Sequence, residues 1–310
     1  MTSSSSKRSK KFVAPIYSDI EVICDRSGSM ETFGTAIKNQ MFQLIMDQRE
    51  MAREKDLNSF MSFTTFDTNA TTYIDNQSLS SLEYISAETI HKWTEPRDLT
   101  RLNDTIAERI DLQTKRLEEY KNRLSKEVWD LNPTIISTLY VLTDGMDNKS
   151  NTFSDIKLLR EKVLKARKNG LKTILLAANQ NAQDLAERYG FDKDLALTIG
   201  RDPTTSSIGM GYTNDMMKRI VSGEAPPDLQ FNGVMRSVSC PESDPNHPNN
   251  YSTTPLPPIG LLSRQTNHYM GTAINDDDDI LNQPYIGPLL GGGGPMPYSY
   301  NSGGGPMPLS

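Results

Sequence analysis

Cysteine is almost missing from this chain: Cys24 and Cys240 are the only two in 310 residues, too few for a disulfide framework. That scarcity favours an intracellular protein, cytoplasmic with the nucleus as the alternative. Histidine is equally scarce, and of the three only His91 precedes the proline-rich end of the chain. One histidine leaves little for a Ser–His–Asp relay, and scattered Cys and His make no zinc site. Long apolar runs are missing as well. Nowhere do about 18 apolar residues follow one another, so no membrane span is expected. The start, Ser3–Ser6 with Lys7, Arg8, Lys10 and Lys11, has no apolar stretch behind it and is not a secretory signal. It reads as a solvated terminus, with a nuclear address or a contact for an acidic partner as alternatives. No Gly-x-x-x-x-Gly-Lys-Ser/Thr phosphate loop occurs.

Proline is rare until residue 223 and then abundant: 14 of 18 prolines and 11 of 20 glycines lie in 224–310. Two cations there, Arg236 and Arg264, face eight anions, Glu224, Asp228, Glu242, Asp244 and Asp276–Asp279, so this third carries the whole formal charge of −6. Such a composition buries too little apolar surface to offset chain entropy. The expected organisation is a basic, disordered N-terminus over 1–12, a folded domain over 13–223 and a disordered tail over 224–310. Gly-Gly-Gly-Pro-Met-Pro, at 292–297 and 303–308, is low complexity rather than a stacking repeat. The single basic cluster is short and the remainder neutral to acidic, which disfavours direct nucleic-acid binding.

Within 13–223 apolar strands alternate with helical patterns, the mark of an α/β fold with a mostly parallel sheet and helices on both faces. Strands are predicted at 18–24, 58–66, 135–143 and 171–178, with weaker ones at 70–75 and 194–199. The spacing of Ile37, Met41, Leu44 and Ile45 predicts a helix over 35–54. Thr152-Phe153-Ser154-Asp155 reads as a capping box for a helix ending at Gly170. Further helices are predicted over 180–189, stopped by Gly190, and over 211–221. The charged stretch 102–131, with Arg116, Glu118, Glu119, Lys121, Arg123, Lys126 and Glu127, reads as a long solvated helix, with a partner-binding extension as the alternative.

Three segments carry chemistry. Asp25-Arg26-Ser27-Gly28-Ser29 follows the apolar run Ile20–Cys24, Thr100-Arg101-Leu102-Asn103-Asp104 precedes a helix, and Leu142-Thr143-Asp144-Gly145 closes the strand at 135–143. Each has a bland alternative: the first could cap a helix, the last could be a simple turn. In open α/β sheets, however, ligands gather at the carboxyl ends of strands. Asp25 and Asp144 fall at two such ends, and hard divalent cations want oxygen donors. Gly28 is expected to let the backbone turn tightly between the two serines.

In their order these segments resemble the three elements of the metal-ion-dependent adhesion site of von Willebrand factor A (VWA) domains, over roughly residues 13–223. The chain departs from many members in having Leu99, not glycine, before Thr100. The resemblance implies a Rossmann-like VWA fold of the stand-alone soluble type, to which Asn179-Gln180-Asn181-Ala182 adds. It also implies Mg²⁺, with Mn²⁺ as an alternative, held by Asp25, Ser27, Ser29, Thr100 and Asp144. Asp147 could support that shell or cap a turn. With two carboxylates among five oxygens, the cation would favour a partner's Asp or Glu. The implied function is divalent-metal-dependent protein binding, as a scaffold in an intracellular complex, without catalysis and without membrane contact. Alternatives are docking through tail pieces such as Thr254-Pro255-Leu256-Pro257-Pro258, or metal-dependent hydrolysis.

Overall fold

The computed structural model describes residues 16–178, 180–226, 228–242, 244 and 247. The basic start, Asn179, the Pro-rich peptides after 248, both Gly-Gly-Gly-Pro-Met-Pro copies and Asp276–Asp279 lie outside the described residues. Six strands form one sheet: β1 (Ile16–Asp25), β2 (Asn58–Phe66), β3 (Ala70–Ser78), β4 (Thr134–Thr143), β5 (Leu171–Ala178) and β6 (Ala196–Ile199). Their order is β3-β2-β1-β4-β5-β6, parallel except for the antiparallel hairpin partner β3 at one edge.

The period of two along each strand divides the core between two faces. Ile20, Val22 and Cys24 of β1, Tyr140 and Leu142 of β4, and Ile174 and Leu176 of β5 pack on one side. There they meet α1 (Ala36–Glu54), through Ile37, Met41, Leu44 and Ile45, and α7 (Pro203–Val221), through Met210, Met217 and Ile220. Ile23, Leu139, Val141 and Leu175 point the other way, onto α3 (Leu102–Arg123), α5 (Ile156–Lys168) and α6 (Ala182–Tyr189). The fold is therefore α/β, with helices on both faces of a mostly parallel sheet. Short helices α2 (Ala87–Trp93), α4 (Lys126–Asp130) and α8 (Gly233–Ser239) complete it. No helix among the described residues is long and apolar enough to cross a membrane.

Four local expectations need correction. The helix α3 is not simply a solvated face. Asp19 and Glu21 of β1 are fully buried and meet Arg116 (Nε to Asp19 Oδ2, 3.1 Å; Nη2 to Glu21 Oε2, 2.8 Å) and Arg109 (Nε to Glu21 Oε1, 2.7 Å). Burial holds the Asp19 carboxyl up at about 6, while Arg116 works against that rise. The helix α5 starts after Asp155, whose carboxylate accepts from Lys157 N at 2.9 Å; Thr152 is not its cap. The helix α7 begins at Pro203 rather than 211, because Asp202 caps it and the proline's missing N–H is harmless in a first turn.

The domain also continues past Gly223. Phe231 is buried in the core, and Arg236 donates to Ala196 O (2.6 Å). Gly200 N donates to Ser239 O (2.8 Å). Residues 231–240 thus satisfy backbone groups of β6 and its flanks, where an edge strand would otherwise leave them open.

Candidate metal centre at the carboxyl edge of the sheet

The strands β1 and β4 are neighbours, in register from Ile16 with Thr134 to Cys24 with Leu142. Their chains end side by side in Asp25 and in Thr143-Asp144. Asp25 is buried, and both its oxygens are engaged: Oδ1 accepts from Ser27 N and Oδ2 from Thr143 Oγ1, each at 2.7 Å. Burial, reinforced by the nearby charge of Asp144, pushes its carboxyl up to about 7, against the pull of the donors from Ser27 and Thr143. A cation nearby would favour the ionised form.

Beyond Asp25 the chain enters a 3-10 turn, Gly28–Phe33, whose N-cap Ser27 makes no capping bond with its side chain. The Ser27 hydroxyl instead lies 3.1 Å from Ser29 Oγ, and Ser29 Oγ donates to Asp144 Oδ1 at 2.8 Å. The two serines therefore link the ends of β1 and β4 rather than cap a helix. Gly28 does not have the expected role. Its φ is not in the left-handed region, and a Cβ there would meet only Asp98 O at 3.7 Å, an ordinary contact.

Thr100 approaches from the loop before α3 and is buried. Its N–H donates to Asn148 Oδ1 (2.9 Å), and its carbonyl accepts from Asn148 N (3.0 Å) and Lys149 N (3.1 Å). Leu99, at the position where many VWA domains have glycine, is exposed, and the left-handed conformation falls one residue earlier, on Asp98 (φ 42°). Gly145 shows where the elements converge. A Cβ at Gly145 would lie 3.6 Å from Thr100 Oγ1 and 3.9 Å from Ser29 Oγ. The position is a cradle lined by hydroxyls from two loops, and one methyl group would enter it.

The loops are held from behind. Arg26, buried directly before Ser27, donates to Asp67 Oδ2 (2.9 Å), Tyr73 Oη (2.8 Å), Trp93 O (3.2 Å) and Thr71 Oγ1 (3.3 Å). Its own carbonyl accepts from Arg97 N at 2.6 Å. Sequence reasoning assigns no role to Thr143, Gly145, Asn148 or Arg26. Only Arg26 carries a usable signal, a charge between two motif residues at the end of a buried strand. His91 lies in α2 with Nε2 2.9 Å from Asn39 Oδ1, paired with an amide rather than a serine.

The donor set is two carboxylates and three hydroxyls, all oxygen. Among the described residues no three His, Cys, Asp or Glu side chains gather as a metal-binding group. All five donors are oxygens, a set that suits a divalent cation with a preference for oxygen. Asp25, whose oxygens already accept two protein donors, is suited to act through bridging water.

No family model matches the chain, and no curated protein matches it. Among solved structures, similarity is found to proximal thread matrix protein 1 from the mussel byssus: 16% identity, TM-score 0.42, covering 67% of this chain and 47% of that one. A form of that protein with a zinc-occupied MIDAS motif matches at 15% identity and TM-score 0.42, over 66% and 47% of the two chains. The PilB minor pilin from Streptococcus sanguinis matches at 12% identity and TM-score 0.46, over 70% and 65%. The chain spans about half the length of the byssus protein it matches.

Proposed function

We propose that this chain is a divalent-metal-dependent protein-binding module of the VWA type, working as a scaffold inside the cell. One observation carries the reading: Ser27, Ser29, Thr100, Asp25 and Asp144 converge from three separate segments on one cradle at the carboxyl edge of the sheet. Ser27, Ser29 and Thr100 would offer neutral oxygens, and Asp25 and Asp144 would hold the site's negative charge, Asp25 through water. Bound there, Mg²⁺ (or Mn²⁺) would supply an open coordination position for a carboxylate of another protein. Asp25 and Asp144 bring two negative charges in all, Asp25 through water, so the cation would favour an incoming Asp or Glu. The reading assigns no catalysis, no membrane contact and no nucleic acid.

The test is affinity capture from the native host in Mg²⁺ and in EDTA, with an Asp25→Ala bait beside the wild-type chain. Proteins held in Mg²⁺ and lost in the other two conditions support metal-bridged recognition. Identical capture in all three would remove the metal centre as the contact surface and return attention to the Pro-rich tail.

A further inference from the structure

The helix α3 starts without a cap of its own: its N-cap residue is Arg101, whose side chain makes no capping bond. A helix N-terminus leaves up to four N–H groups unpaired, and a buried one must find acceptors elsewhere. Here they come from the loop after β4. Asn103 N donates to Asp147 Oδ1 (3.1 Å) and Asp104 N to Ser150 Oγ (2.8 Å). Ser150 Oγ in turn donates to Asp147 Oδ1 at 2.6 Å. Asp104 reciprocates, its carboxylate accepting from Phe153 N (2.7 Å), Asn151 N (2.9 Å) and Thr152 N (3.4 Å). Each segment therefore caps the other. Thr100 lies directly before this junction, Asp144 and Gly145 directly before its other half.

We propose that Asp147 is a positioning residue of the metal centre: by capping α3 from the β4 loop it fixes the Thr100 hydroxyl beside Gly145, so that the cradle is formed before a cation arrives. The inference rests on the metal reading above. Asp147 need not touch the cation. It acts through Asn103 and Ser150 on the placement of Thr100, and the sequence alternative of a capping aspartate and that of a supporting residue are here the same contact.

Mg²⁺ titration calorimetry on the full chain tests it, with Asp147→Ala, Asp147→Asn, Thr100→Val and the double variant Asp147→Ala/Thr100→Val. Asp147→Ala should weaken affinity about tenfold, at the low end of what outer contacts of metal ligands supply. Asp147→Asn, which keeps an acceptor for Asn103 N, should restore most of it. The double variant should bind no more weakly than Thr100→Val alone, since the aspartate works through that hydroxyl. A stabilising cap with no positioning role predicts otherwise: equal losses that multiply in the double variant, or wild-type affinity in Asp147→Ala, and either result overturns the proposal. Should Asp147→Ala not fold, Ser150→Ala removes the Asp104 acceptor and is read against Thr100→Val in the same way. If the wild-type chain takes up no Mg²⁺, the metal reading itself fails and this proposal with it; failure of the positioning role alone leaves wild-type binding intact.

Discussion

Thr143 donates its hydroxyl proton to Asp25 Oδ2 at 2.7 Å, tying the carboxyl ends of two adjacent parallel strands. The same hydroxyl lies 3.2 Å from Gly145 O, but it has one proton, and the shorter bond to a carboxylate takes it.

Thr143→Val keeps the side-chain shape and removes the donor. A buried carboxylate oxygen then lacks one partner, which costs about 1–3 kcal/mol. Mg²⁺ affinity should fall about tenfold, as for other contacts that orient metal ligands. Urea denaturation and calorimetry on one preparation separate the two effects. Unchanged affinity would mean that Thr143 serves the strand pair alone.

Gly145→Ala should do the reverse, weakening the cation and sparing the fold. Gly145 is not in the left-handed region, so alanine is conformationally tolerated, and its methyl would lie between the Thr100 and Ser29 hydroxyls. A melting temperature within a degree or two of wild type, with Mg²⁺ binding reduced at least tenfold, is the expected pair of results. Wild-type binding would show that the cradle is not the cation's place.

Arg26→Ala leaves the buried Asp67 carboxylate without its ion pair and frees the loop after β1. Removing one partner of a buried pair costs about 3–5 kcal/mol. Arg26→Lys should recover little, since a point charge cannot replace donors aimed at four different groups. Denaturant midpoints of the three proteins check this, and a loss under about 1 kcal/mol for Arg26→Ala would contradict the anchoring role.

Asp104 contributes stability that is lost in acid. Burial raises its carboxyl, but the N–H groups of Asn151, Phe153 and Thr152 and the charge of Arg101 outweigh it, and the net shift is downward. A carboxyl lower in the folded than in the unfolded chain stabilises the fold above the unfolded value of about 4 and loses that contribution as pH falls through the folded value. Asp104→Asn should therefore be less stable than wild type at pH 7, with the gap closing below about pH 4. Parallel denaturation curves at the two pH values measure it; a gap independent of pH would remove the charge from the explanation.

Much of the fold is legible in the sequence. The strands predicted at 18–24, 58–66, 135–143 and 171–178 fall on β1, β2, β4 and β5, where apolar residues run between turn residues, and the weaker ones at 70–75 and 194–199 fall on β3 and β6, which carry little more than Tyr73 and Ile74, and Leu197 and Ile199. The site elements can be read because each lies at or beside a strand end or a helix start. What escapes depends on distant partners. Arg116 and Asp19 are 97 positions apart, so nothing local distinguishes that ion-paired, half-buried arginine from its exposed neighbour Arg123. Residues 203–210 are poor helix formers, and only the Asp202-Pro203 start announces the first turns of α7. High proline and glycine content hides α8, although Phe231 and Cys240 are both buried against the domain. Thr143 is visible only as the end of a strand beside Asp144, and Asn148 only as a turn residue; neither sequence position tells of its hydrogen bond to Asp25 or to Thr100.

The central claim is that Asp25, Ser27, Ser29, Thr100 and Asp144 hold a hard divalent cation, and one titration addresses it directly: Mg²⁺ into the wild-type chain and into Asp25→Ala, by calorimetry, with a melting curve on each. The account predicts a single site in the wild type, no measurable uptake by Asp25→Ala, and a cooperative melting transition for both without Mg²⁺, that of Asp25→Ala lowered by the two hydrogen bonds it loses. Equal uptake by both proteins, or none by the folded wild type, would contradict it.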